Sequence, residues 1–121
     1  MESFLAITRA LSDENRVRAL LALGDQEICV CQLIALLQLA PSTVSKHMSV
    51  LKQAGLVTGQ KKGRWMYYRQ ADSTAPVEVR NALKWLRSSL SPSSRIQADQ
   101  RRLSAILKVN RDELFRRQST R

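Results

Sequence analysis

Of the side chains able to do chemistry near neutral pH, the sequence holds two cysteines and a single histidine, and the cysteines stand two positions apart in the stretch ICVCQL, as Cys29 and Cys31. Thiolates are nucleophiles and soft metal ligands, so such a pair can hold a thiophilic ion, switch through a disulfide, or pack as two small apolar residues. Four-ligand zinc is disfavoured, because His47 alone cannot supply both missing ligands. A disulfide between residues this close would close a small, strained ring. Backbone geometry adds a condition. In a regular helix residues i and i+2 point about 200° apart, whereas in an extended segment they share a side. Both sulfurs therefore reach one atom only if the backbone across residues 29–31 is, or becomes, non-helical.

The elements that position the pair follow from periodicity. Phe4, Leu5, Ile7 and Leu11 recur at roughly helical spacing and predict a helix over residues 2–11. Ser12, followed by Asp13 and Glu14, reads as the N-cap and acidic first turn of a second helix over residues 13–23, with Val17, Leu20, Leu21 and Leu23 as its stripe and Gly24 at its end. Residues 28–30 are β-prone. Leu33, Ile34, Leu36 and Leu37 form the buried face of a third helix, and a turn falls at residues 38–40. Pro41 suits the first position of a fourth helix, in which Val44, Met48 and Leu51 make the apolar row, Ala54 closes it, and Gly55 follows. Ser42, Thr43, Ser45, Lys46, Ser49 and Gln53 are left toward solvent. Two short helices joined by a tight turn, the second with a small-polar and basic outer face, make the helix-turn-helix pattern; a helix pair with a merely solvated face has the same spacing.

Residues 56–70, LVTGQKKGRWMYYRQ, read as a β-hairpin whose polar turn covers residues 60–64. Its tip carries Lys61, Lys62 and Arg64, a second phosphate-contacting element beside the polar helix face, and the two together make a winged helix-turn-helix. Trp65, Tyr67 and Tyr68 could stack on single-stranded bases, although aromatic residues in short strands usually pack a hairpin onto helices. The net charge of +10 over 121 residues attracts a polyanion, with nucleic acid ahead of a membrane surface. A chain of this length buries a modest core alone, which leaves room for a partner subunit. No apolar run approaches the ~20 residues that cross a bilayer, and the first residues lack a continuous apolar signal core, so the expected location is the cytoplasm. No acid pair, nucleophile with base or glycine-rich phosphate loop points to an enzyme.

Residues 11–69 resemble the ArsR/SmtB family of metal-responsive repressors. LSDENRVRALLAL matches its second helix, ICVCQL the opening of its third, PSTVSKHMSVLKQAGLV its recognition helix, and GRWMYYR the return strand of its wing. The resemblance implies a mainly α fold with a small β-hairpin, and a cytoplasmic homodimer that binds a palindromic operator, represses transcription and releases DNA when a metal or metalloid binds. By position it places Ser42, Thr43, Ser45, Lys46 and His47 in or beside the major groove, with Lys61, Lys62 and Arg64 on backbone phosphate or in the minor groove. His47 adjoins the core row and suits packing or phosphate contact better than base reading. The two-fold interface falls to the first and fifth helices, here Phe4 and Leu5 with Val79, Leu83, Leu86 and Leu90, and Trp85 beside that stripe. Packing of the stripe within its own protomer is the alternative. Ala40 departs from the Ser N-cap common in the family, at a cost of about 0.5–2 kcal/mol.

Family members that respond to arsenite and antimonite, or to cadmium and lead, carry a Cys-Val-Cys that Cys29-Val30-Cys31 matches. The third cysteine of the arsenite type falls at Ile34, the N-terminal cysteines of cadmium and lead sensors are absent, and residues 75–90 lack the Asp and His ligands of the zinc type. The resemblance thus leaves As(III) or Sb(III) as the effector, on two thiolates with an outside third ligand or with the carbon of an organoarsenical. It would act by unwinding the entry to the third helix, shifting the fourth, and spoiling the spacing of the recognition helices. A thiol redox-responsive repressor and a metal-independent DNA-binding protein stand as alternatives. The DNA-binding and dimerisation domain is expected over residues 1–90, followed by a basic extension over residues 91–121 for which Leu103, Ile106, Leu107, Leu114 and Phe115 favour a partly helical form, a disordered basic arm being the alternative.

Overall fold

The computed structural model describes residues 1–119, in the order α1 (Glu2–Ala10), α2 (Glu14–Leu23), β1 (Ile28–Cys29), α3 (Val30–Leu37), α4 (Pro41–Gln53), β2 (Val57–Lys62), β3 (Trp65–Gln70), α5 (Val77–Leu90), α6 (Ser94–Ile106) and α7 (Arg111–Ser119). Asp13, rather than Ser12, caps α2: its Oδ1 accepts the N–H groups of Asn15 at 2.8 Å and Arg16 at 3.1 Å. Ser12 instead donates to the Arg9 carbonyl at 2.7 Å. A carboxylate is the stronger acceptor at the positive end of a helix dipole, which explains the choice.

The helix pair α3–α4 turns at residues 38–40, where Gln38 takes the left-handed conformation (φ 56°, ψ 42°) and its N–H bonds the Ile34 carbonyl. Val44, Met48 and Leu51 lie wholly inside a core shared with Leu20, Leu23, Leu33 and Leu36. That row fixes the roll of α4 and turns its opposite face outward.

The three strands form one antiparallel sheet, ordered β1-β3-β2. The hairpin turn is tighter than the expected span of residues 60–64. Lys62 pairs with Trp65, so the loop is Gly63 and Arg64 alone, and Lys61 and Lys62 belong to β2. Gly63 (φ 61°) supplies the positive φ such a loop needs at its first position, and Arg64 is not among the positive-φ residues, which makes the turn type II′.

The extension folds back onto the helix-turn-helix. Arg18 of α2 and Asp99 of α6 form a buried bidentate ion pair at 2.8 and 3.0 Å, and Arg18 also donates to Asn15 Oδ1 at 3.0 Å. Arg102 of α6 donates to the carbonyls of Leu36 at 2.9 Å and Ala35 at 3.2 Å, closing the C-terminal end of α3. On α5, Val79, Leu83 and Leu86 point into the protomer's own core and Leu90 is half-buried. The exposed apolar residues of α1 and α5 are Phe4, Leu5, Val77 and Trp85, with Phe4 61% and Trp85 66% exposed.

Candidate effector site and nucleic-acid interface

Cys29 is at once the last residue of β1 and the N-cap of α3. Its pairing with Tyr67, and that of Ile28 with Tyr68, holds the backbone extended at φ −70°, ψ 145°, while Cys31 sits in the first helical turn. The required non-helical entry is therefore already built by the sheet, and no unwinding of α3 is needed to bring the thiols together. Their sulfurs are 3.2 Å apart. That exceeds a disulfide bond of about 2.05 Å, and is less than two metal–thiolate bonds of about 2.3 Å laid end to end, so one atom can bridge them. Both thiols are free and almost wholly buried, at 0% and 2% exposure. Gln32 reaches back to accept the Cys29 N–H at 2.9 Å, which anchors the junction.

The two thiols differ in acidity. The Cys31 S–H donates to the Cys29 sulfur and, against the penalty of burial, brings the Cys29 thiol down to about 7, helped by backbone N–H groups and the charge of Arg111. The same bond and burial push Cys31 upward. The pair thus presents one thiolate and one thiol near neutral pH.

Helix α7 closes the site. Leu114 is buried in one cluster with the two cysteines, with Ala35, Trp65, Tyr67, Ile106 and Val109 packed around it, and Gln118 donates to the Cys31 carbonyl at 2.9 Å. From the same helix, Arg111 lies over the Tyr67 ring at 5.8 Å and Phe115 meets Trp65 edge-on at 5.6 Å. Sequence reasoning missed Leu114, Gln118 and Arg111 as neighbours of the thiols, and Phe115 as the partner of Trp65. The available signal was the apolar pair Leu114 and Phe115 in a basic tail, which predicts a buried face without saying what it covers.

The outward face of α4 presents Ser42, Thr43, Ser45 and Lys46, all exposed and without side-chain partners among the described residues, and the helix carries no acidic residue. His47 is half-buried. Its Nδ1 lies 3.3 Å from Arg16 Nη1, and because guanidinium only donates, Nδ1 is the acceptor. Arg16 is itself held by the carbonyls of Ala10 at 2.9 Å and Arg9 at 3.1 Å. The wing cations are less open than the sequence suggests. Lys62 pairs with Glu27 at 2.5 Å and lies over Tyr67, whereas Arg64 pairs with Asp112 of α7 and lies 4.8 Å from the Trp65 ring centre. Lys61 is exposed. No helix among the described residues is long and apolar enough to cross a membrane.

Residues 13–58, which span α2 to the start of the wing, match the family model described as bacterial regulatory protein, arsR family. The arsenic resistance transcriptional regulator ArsR1 of Pseudomonas putida is 38% identical over 64 residues, covering 52% of this chain and 50% of that protein. The chain spans about half the length of the curated relatives it matches. The crystal structure of a transcriptional regulator HlyU from Vibrio vulnificus superposes with a TM-score of 0.57 at 34% identity, over 70% of this chain and 84% of that one. The homodimeric winged helix-turn-helix domain Mb0332 of Mycobacterium bovis gives 0.62 at 22% identity, over 74% and 80%, and supports the fold alone. With its winged helix-turn-helix architecture and these relatives, the chain belongs to the arsR family of bacterial regulatory proteins.

Proposed function

We propose that the protein is a transcriptional repressor that binds a palindromic operator as a symmetric dimer and lets go when trivalent arsenic or antimony bridges Cys29 and Cys31. The observation that carries this reading is the place of the two sulfurs. Cys29 lies in a strand paired to the wing, and Cys31 lies in a helix packed against α4, so an atom bonded to both joins the two elements that would touch DNA. With arsenite, two As–O bonds break and two As–S bonds form, and two waters leave with the thiol protons.

Bridging draws the sulfurs into a fixed bond geometry, and three elements feel the change: β3 through the Cys29–Tyr67 pairing, α3 through its first turn, and α7 through Leu114. Helix α7 also holds Arg64 through Asp112, which links thiol occupancy to the wing tip. A coupling of about 3 kcal/mol would lower operator affinity more than a hundredfold. The dimer would form through α1 and α5, where Phe4, Leu5 and Trp85 make an exposed apolar face; Val79, Leu83 and Leu86 serve it only from behind, as the core that holds α5 in place. Two copies would then present two α4 faces, each with Ser42, Thr43, Ser45 and Lys46 toward a major groove.

Fluorescence anisotropy of a labelled operator duplex, selected from a random library, tests the reading. Arsenite, antimonite or phenylarsine oxide is expected to release the protein, and Cys29→Ser or Cys31→Ser to retain DNA binding while losing release. Release that persists in the double variant would overturn the two-thiol site, and unchanged affinity under all three compounds would leave a metal-independent DNA-binding protein.

A further inference from the structure

We infer that the thiol pair is built for a trivalent arsenical that brings its own organic substituent, with Leu114 of α7 as the wall that selects it. The inference rests on the proposed function and names the effector class of the same site. Trivalent arsenic makes three bonds, and the site offers two sulfurs. Among the described residues no group of three or more His, Cys, Asp and Glu side chains could hold a metal ion. The apolar residues around the thiol pair are Leu114, Ala35, Trp65, Tyr67, Ile106 and Val109, while the polar neighbours are engaged, Arg111 over the Tyr67 ring and Gln118 on the Cys31 carbonyl. Arsenite held by two thiolates keeps a hydroxyl group, and burying a hydroxyl against an apolar wall without a partner is unfavourable. A carbon substituent needs no such partner, and its burial is favourable.

Room for that substituent lies alongside. Ala35, Ile106, Val109 and Leu114 also line a groove of about 390 Å³ that opens to solvent, so Leu114 is the partition between groove and thiols. The polar groups on its rim are engaged elsewhere, Arg102 with the carbonyls of Leu36 and Ala35, Arg117 with Glu113 at 3.2 Å, and Gln118 with the carbonyl of Cys31, which leaves an apolar floor. The chemistry balances without oxidant or reductant. The Cys29 thiolate attacks the arsenic of RAs(OH)2 and displaces hydroxide, which leaves as water with the proton of Cys31. The Cys31 thiolate then displaces the second hydroxide, which takes a proton from solvent, and the As–C bond stays intact throughout.

The test compares phenylarsine oxide with arsenite on the full-length protein by isothermal titration, with operator release followed in parallel. Because any dithiol favours the phenyl compound, the affinity ratio is normalised to the same ratio on dithiothreitol. The wild type is expected to exceed it at least tenfold. Leu114→Cys, which puts a third thiol in the wall, should raise arsenite affinity at least tenfold and collapse the ratio, whereas the volume-conserving Leu114→Met should keep it. A wild-type ratio equal to that of dithiothreitol, or a ratio unmoved by Leu114→Cys while Leu114→Met stays folded, overturns the inference and leaves the repressor reading intact. A raised ratio with no operator release by either compound sustains the site and overturns the repressor reading.

Discussion

Ser42, Thr43, Ser45 and Lys46 come from little more than one turn of a single helix, whereas the sulfurs of Cys29 and Cys31 are enclosed by residues as distant in sequence as Trp65, Ile106 and Leu114. The α4 face is exposed and leaves its polar groups without partners among the described residues; the thiol pocket is buried, and its surroundings are bonded to one another. A surface that meets a large polyanion needs open donors on a rigid helix. A site that holds one small ligand needs walls, and walls come from wherever the chain can be folded back. The pocket should therefore fail when distant contacts are cut, and the face should not.

The sharpest cut is at the root of the extension. Asp99→Asn leaves Arg18 buried with a neutral partner, and Asp99→Ala leaves it unpaired, at a cost of about 3–5 kcal/mol in chemical denaturation for the latter. As α6 loosens, α7 loses its base, so Cys29 and Cys31 should react faster with a thiol reagent, while residual folded protein still binds DNA. Thiol reactivity unchanged in Asp99→Ala would break the comparison by showing that α7 covers the pocket without α6.

The opposite experiment addresses the face. Lys46→Ala in both protomers should lower operator affinity about tenfold, near 1.4 kcal/mol, and flatten the salt dependence by roughly two for two lost phosphate contacts. Phenylarsine oxide binding to the thiols should stay as in the wild type, because Lys46 lies outside the pocket. A parallel loss of effector affinity would mean that face and pocket are not separable.

What was legible in the sequence divides along the same line. The row Val44, Met48 and Leu51 fixes α4 by local periodicity, so the face follows from neighbouring residues; the β-prone Ile28 hints at an extended Cys29, but the pairing with Tyr67 and Tyr68 that holds it there, and so brings the thiols together, is not local. The wing was legible in kind, although the single positive φ of Gly63 decides that the turn is two residues long. Nothing local says that Leu114 joins the cluster of the two cysteines, or that Asp112 and Glu27 take up Arg64 and Lys62, since each joins segments at least 35 residues apart. The stripe Val79, Leu83 and Leu86 shows the limit from the other side: amphipathic spacing marks a face for burial without saying whether the cover is its own core or a partner's.

A smaller effect probes the pocket's chemistry. The Cys29 thiol loses its proton at about 7, so below that value the pair is protonated and slow to react, and above it a thiolate is present. The association rate of phenylarsine oxide should therefore rise through pH 7. Cys31→Ala removes the S–H that stabilises the thiolate, and the midpoint of the thiolate ultraviolet absorbance should move up toward the ordinary thiol value of about 8.5. A midpoint that stays in place would assign the low value to Arg111 and the helix terminus instead.

The mildest change tests why the face is left unsatisfied. Ala40 begins α4 with an extended backbone suited to a cap (φ −59°, ψ 145°), yet makes no side-chain cap bond, and Pro41 follows at the first helical position. Ala40→Ser should stabilise the fold by about 0.5–2 kcal/mol, read as a higher melting temperature, because Ser Oγ can accept the N–H of Ser42 and share that of Thr43, which already donates to the Ala40 carbonyl at 3.0 Å. Those N–H groups are also what a helix N-terminus offers to a phosphate. A serine that occupies them competes with DNA, so operator affinity should fall or stay level as stability rises. If affinity rises together with stability, α4 gains from being ordered in advance, and the open N-terminus is no part of how the face reads DNA.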